Sequence, residues 1–97
     1  MHQNSQYKIM LFYSNYNKEG QGTRMTVKEF INNHNSLKIN LIEVNYDTEK
    51  KRCKQYGVTG TPTLLIYKHG KLVGRHLGEV TYQDLETIIQ SVLESQK

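Results

Sequence analysis

Tyr56-Gly57-Val58-Thr59-Gly60-Thr61-Pro62-Thr63-Leu64-Leu65-Ile66-Tyr67-Lys68-His69-Gly70-Lys71 is the stretch that decides how this chain folds. Thr63 to Lys68 is a run of branched and aromatic residues of strand type. His69-Gly70 then reads as a two-residue turn and Lys71 to Leu77 as the returning strand, so the pair forms an antiparallel hairpin. Immediately before it stands Pro62, the only proline of the chain. Upstream, Glu49 to Tyr56 is a short helix that Asp47 or Thr48 can cap and that Gly57 closes, with Cys53 and Tyr56 on one face.

Working further outward, Ile39, Leu41, Ile42 and Val44 make an extended run that ends at Asn45-Tyr46-Asp47. Val27, Phe30, Ile31 and His34 recur at helical spacing and stop at the polar cluster Asn32 to Ser36. Ser14 to Thr23, dominated by turn formers and glycine, reads as a loop. Before it, Tyr7 to Tyr13 places Ile9, Met10, Leu11 and Phe12 in succession, the pattern of a central strand buried on both faces. Downstream of the hairpin, Thr81 and Asp84 form a capping box, and Leu85, Ile88, Ile89 and Val92 make the apolar stripe of a last helix. The order is β-α-β-α-β-β-α. A strand-helix-strand crossover makes the first two strands parallel, so the expectation is an α/β fold with a mixed four-stranded sheet and three helices. At 97 residues the whole chain, 1–97, is one domain, with residues 1–6 as a polar N-terminal tail.

The segment from Tyr56 to Lys71 closely resembles the thioredoxin family around its cis-proline and the hairpin that follows. The resemblance runs back to Tyr7 and on through Gly78 to the last helix, and the chain lacks the usual first strand and helix of that family. It implies a cis Thr61-Pro62 bond. It also sets Tyr16-Asn17-Lys18-Glu19-Gly20 over the family's Trp-Cys-Gly-Pro-Cys, so Asn17 and Gly20 stand where the two cysteines belong. A shift of one residue brings Lys18 and Gln21 instead, and no placement supplies a sulfur. The family's buried acid falls near Leu11, a loss coherent with that of the thiols, since a buried acid without thiol chemistry only costs stability. What the resemblance implies is a polypeptide-binding groove formed by Tyr16, Asn17 and Gly20, by Thr59 to Pro62 with Thr61 and Pro62 at its centre, and by the turn at Gly78.

Cys53 is the only cysteine, which excludes an internal disulfide framework and a multi-cysteine zinc site. It falls on a small buried position of the family's helix and reads as a packed thiol. The alternative is a monothiol redox centre whose sulfur is activated by Lys50, Arg52 and Lys54. His2, His34, His69 and His76 lack metal-ligand spacing, so neither a metal nor a cofactor is expected. The stretch Lys18 to Arg24 opens a helix after a strand, a setting for anions, but it lacks the P-loop and dinucleotide patterns. Seven tyrosines and no tryptophan suggest that Tyr13, Tyr16 and Tyr56 cluster beside Pro62; the other reading makes Tyr13 and Tyr67 strand residues that are partly core.

The net charge of +4 is scattered, its longest basic run being Lys50-Lys51-Arg52, and reads as solvated helix surface, with an acidic partner as the alternative. Nucleic-acid binding would rest on net charge alone and is not expected. No apolar run approaches the roughly 20 residues that span a bilayer, and Met1 to Tyr7 has no apolar stretch of a secretory signal, so no membrane partner and a cytoplasmic protein are expected. The functional expectation is a redox-inactive domain that binds protein or extended peptide. Its oligomeric state and the identity of its partner stay open.

Overall fold

The central strand dictates the rest of the architecture. The structure, a computed structural model, describes residues 6–94, so all but the last residue of the polar N-terminal tail, His2 included, lies outside the described residues. Strand β1, Tyr7–Tyr13, is flanked by β2, Ile39–Asn45, and by β3, Thr63–Lys68, and β4, Lys71–Leu77, completes the sheet in the order β2-β1-β3-β4. β1 and β2 run parallel with Tyr7 opposite Ile39, whereas β1 with β3 and β3 with β4 are antiparallel. The sheet is mixed and four-stranded, as the element order requires.

Helices cover both faces. On one, Ile9 and Leu11 of β1 and Leu64 and Ile66 of β3 pack against Val27 and Phe30 of α1, Lys18–Asn33, and against Leu85 and Ile89 of α3, Tyr82–Glu94. On the other, Met10, Phe12, Val44 and Leu65 meet Cys53 of α2, Lys50–Gln55, and Val58 just beyond it. Successive β1 residues feed alternate cores, which is why the run from Ile9 to Phe12 has no polar interruption. At the hairpin, His69 and Gly70 both take positive φ, 51° and 80°, the backbone of a two-residue turn whose twist matches its strands. A bulge between Ile66 and Tyr67 shifts the register of β3 against β4. Thr81 and Asp84 form a reciprocal cap, each backbone N–H donating to the other's side chain at 3.0 Å.

Two expectations are corrected. Ser14 to Thr23 is not a loop throughout: α1 begins at Lys18, because the Asn17 side chain caps it by accepting the Gly20 N–H at 2.8 Å. Buried Thr23 then ties the helix to the segment just before the last helix by accepting the Val80 N–H at 3.2 Å. These contacts outweigh the cost of Gly20 and Gly22 in a helix, about 1 kcal/mol each relative to alanine. Asp47 and Thr48 do not cap α2. Its capping position is Glu49, without a side-chain bond, and the Glu49 carboxylate instead accepts the Asn45 N–H at 3.1 Å.

Glu43 on β2 holds α1 by accepting from Arg24 at 2.9 Å, with Lys28 at 3.7 Å. The Arg24 hydrogen bond keeps the Glu43 carboxyl below its ordinary value of 4.5. A depressed folded-state value means that this stabilisation is present above the ordinary carboxylate value and is lost as pH falls through the folded one. In urea titrations stability should therefore fall on acidification below about pH 4.5, and Glu43→Gln should lower the neutral plateau and flatten that acid limb. An acid limb as steep as wild type in Glu43→Gln would refute the assignment. The Tyr7 hydroxyl is buried without a hydrogen-bond partner among the described residues, so Tyr7→Phe removes a desolvated group worth about 1 kcal/mol or more. The expected outcome is an unchanged or higher urea midpoint; a drop would show that the hydroxyl is satisfied.

Candidate functional site

Ser14 closes β1 and organises the turn into α1. Its hydroxyl donates to the two carboxylate oxygens of Asp47, at 3.0 Å each, and accepts the Tyr16 N–H at 3.1 Å. The Asn15 N–H donates to the same carboxylate at 3.2 Å. Asp47, read from sequence as a helix cap, is thus the clamp that holds the β1–α1 turn to the end of β2. An aspartate preceding a helix looks alike in either role, so the sequence carries no signal that separates them.

Asn17 links this turn to the proline loop. Its side-chain oxygen caps α1, and its amide nitrogen donates to the Thr61 carbonyl at 3.2 Å. The Thr61-Pro62 peptide is cis. From the far side, the Gly78 N–H donates to the Pro62 carbonyl at 2.8 Å, with Gly78 at a φ of 103° that favours glycine. Thr63 Oγ1 donates to the Gly60 carbonyl at 2.7 Å and the Tyr46 hydroxyl to the Thr59 carbonyl at 3.1 Å. Each carbonyl from Thr59 to Pro62 therefore already accepts a bond from this chain. By contrast, the N–H groups of Thr59, Gly60 and Thr61 donate to no acceptor among the described residues.

The structure brings together Asn17, Thr61, Pro62 and Gly78, and it buries Gly20 beneath the turn, within 3.6 Å of the Ser14 backbone for an added Cβ. Tyr16 is 90% exposed beside Asn17, and Leu77, 68% exposed, precedes Gly78. The three tyrosines do not cluster. Tyr13 lies under the Arg24 guanidinium, 4.2 Å from its ring centre, and Tyr56 packs on Phe12 at 5.9 Å, so only Tyr16 stays at the loop. Tyr67 packs against the core beside α2. Among the described residues no group of His, Cys, Asp or Glu side chains is arranged to hold a metal ion, and no helix is long and apolar enough to cross a membrane.

Cys53 sits apart, 2% exposed beneath α2. Burial pushes its thiol up from the ordinary value and Glu49 adds to the shift, outweighing Lys50 and Arg52, which act the other way. The neighbouring cations therefore do not activate it. Sequence reading missed the pocket beside it, about 410 Å³, lined by Tyr46, Lys50, Lys54, Val58 and Thr59 as well as Cys53. A wider depression of 650 Å³ lies between α1 and α3 near His34. There His34 stacks on Phe30 at 4.1 Å with Nδ1 2.9 Å from the Phe30 carbonyl, which is packing rather than chemistry.

A sequence-family model described as Thioredoxin matches residues 1–91. Among solved structures, the chain is similar to thioredoxin-2 of the malaria parasite, with a TM-score of 0.83 at 16% identity over 93% of this chain and 86% of that one. It is similar to a thioredoxin variant from Halobacterium salinarum, with a TM-score of 0.80 at 21% identity over 90% of this chain and 74% of that one. Fasciola hepatica thioredoxin matches with a TM-score of 0.76 at 21% identity over 89% and 81% of the two chains.

The burial of Cys53 has two measurable outcomes. The native thiol should react with a soluble disulfide reagent at neutral pH far more slowly than after unfolding, because little thiolate forms and little of it is reachable. Cys53→Ser should lower stability by about 1 to 3 kcal/mol, the cost of placing a hydroxyl in an apolar site. Fast native labelling together with an unchanged melting midpoint would contradict the buried placement.

Proposed function

The chain belongs to the thioredoxin family, and from that premise we propose that it is a redox-inactive polypeptide-binding module which grips an extended segment along Thr59 to Pro62. The observation that carries this reading is the imbalance in that loop: four carbonyls tied to the protein itself and three successive N–H groups with no acceptor among the described residues. Unpaired main-chain donors on a fixed backbone are what an added extended segment uses. The exposed rings and side chains at the two margins, Tyr16 and Leu77, supply apolar contact beside them.

Dithiol chemistry is a poor fit. Reduction of a disulfide requires an attacking thiolate and a resolving thiol, and this chain has one cysteine. Asn17 has no nucleophile, and its amide is engaged with the loop that would face a substrate. The monothiol alternative at Cys53 is opposed by its burial and its raised thiol value.

On an array of random dodecapeptides the wild-type domain should retain a subset of sequences. A Tyr16→Ser/Leu77→Ser double variant should lose about tenfold in affinity for them, of the order expected for two exposed apolar contacts, while its far-ultraviolet circular dichroism stays that of wild type. Insulin reduction should be undetectable for both proteins. Retention of no peptide, or reductase turnover abolished by Cys53→Ser, would overturn the reading.

A further inference from the structure

The pocket beside the proline loop has a composition that the loop alone does not explain. Its floor is apolar, with Val58 and Cys53 4% and 2% exposed, and one wall is the Tyr46 ring. Its rim carries two ammonium groups, Lys50 and Lys54, one helical turn apart on α2, with Lys50 Nζ 4.9 Å from the Tyr46 ring centre. Like charges at that spacing repel, and neither lysine has an ion-pair partner among the described residues. The nearby acids are committed elsewhere: Glu49 to Arg52 at 3.2 Å, and Asp47 to Ser14 and Asn15.

This cationic rim is continuous with the loop. Thr59 lines the pocket and is also the first of the three residues whose N–H groups are unpaired, and Tyr46 spans the two by donating to its carbonyl. Along the loop backbone from Thr59 to Pro62 the unmatched groups are N–H donors, and the charged groups at the pocket rim are two ammonium donors. A ligand that fits it must present acceptors and negative charge beside an apolar side chain.

We propose that the pocket between α2 and the proline loop selects polypeptide segments carrying an aspartate or glutamate next to an apolar residue, the carboxylate lying between Lys50 and Lys54 and the apolar side chain on Val58. This rests on the peptide-binding reading above and adds to it the chemistry of the partner. A nucleic-acid backbone fits less well. The six residues of α2 span about 9 Å, too short a track for successive phosphates, and the pocket floor offers an apolar surface rather than a flat ring for base stacking.

The test uses paired dodecapeptide arrays of identical apolar content, one with Asp or Glu and the other with Asn or Gln at the same positions. Wild type should bind the acidic members about three- to tenfold more tightly at low salt, the size expected for two exposed ion pairs. That preference should shrink as ionic strength rises. Lys50→Gln/Lys54→Gln should bind both arrays equally, whereas Lys28→Gln/Lys71→Gln, with the same change in net charge, should keep the preference. Wild type binding both arrays alike would overturn this inference and leave the groove intact; binding to neither would remove the groove reading along with it. A preference that survives in Lys50→Gln/Lys54→Gln, or is lost in Lys28→Gln/Lys71→Gln, would show that the pocket does not read the charge. Tighter binding of single-stranded oligothymidylate than of any acidic peptide would reassign the surface to nucleic acid and overturn it as well.

Discussion

A seven-residue strand with both faces buried leaves the polypeptide little choice. β1 gives Ile9 and Leu11 to one core and Met10 and Phe12 to the other, all fully buried. Its backbone groups can then be met only by a strand on each side, and its side chains only by helices above and below. Truncating any one of the four would open a cavity in a packed layer at a cost of about 2 to 5 kcal/mol, a large fraction of what a domain of this size has to spare. The candidate site inherits its rigidity from this strand. Ser14 is the residue after its end, Asp47 lies just past the end of its parallel neighbour, and Thr61 and Pro62 lead into its antiparallel one.

Much of this frame was legible in the amino-acid order because it depends on local rules. Branched runs bounded by turn formers gave the four strands; His69-Gly70 and the Thr81 and Asp84 pair specified a turn and a cap from their own chemistry. The start of α1 was not legible. Two glycines within a polar stretch read as a loop, and what makes them helical is a cap at Asn17 that also bonds to a residue 44 positions away. The same holds for Asp47, whose partners are Ser14 and Asn15 across the sheet. Side chains that serve distant backbone leave no periodic trace.

Asn17 serves two neighbours at once. A short amide side chain at the head of α1 both accepts and donates, so one residue completes the helix and braces the loop before Pro62. The geometry around the proline is then held by neutral hydrogen bonds. The N–H groups from Thr59 to Thr61 and the lysines at the rim of the pocket beside α2 lie along one stretch of surface, joined at Thr59.

The bulge in the hairpin bears on how concentrated this domain can become. β4 is an edge strand with Leu72 and Val73 partly exposed, and a flat edge of that kind templates pairing with another copy. The register shift at Ile66 and Tyr67 twists that edge, and exposed Lys71 and Arg75 would meet their own kind in a self-paired strand. Gly74 in the same strand packs so near Ile88 that an added Cβ would lie 3.3 Å from it, which fastens the twisted edge to α3. The hairpin, on the strand farthest from β2, thus carries the features that oppose edge-to-edge pairing at this side of the sheet: the register shift and the exposed cations.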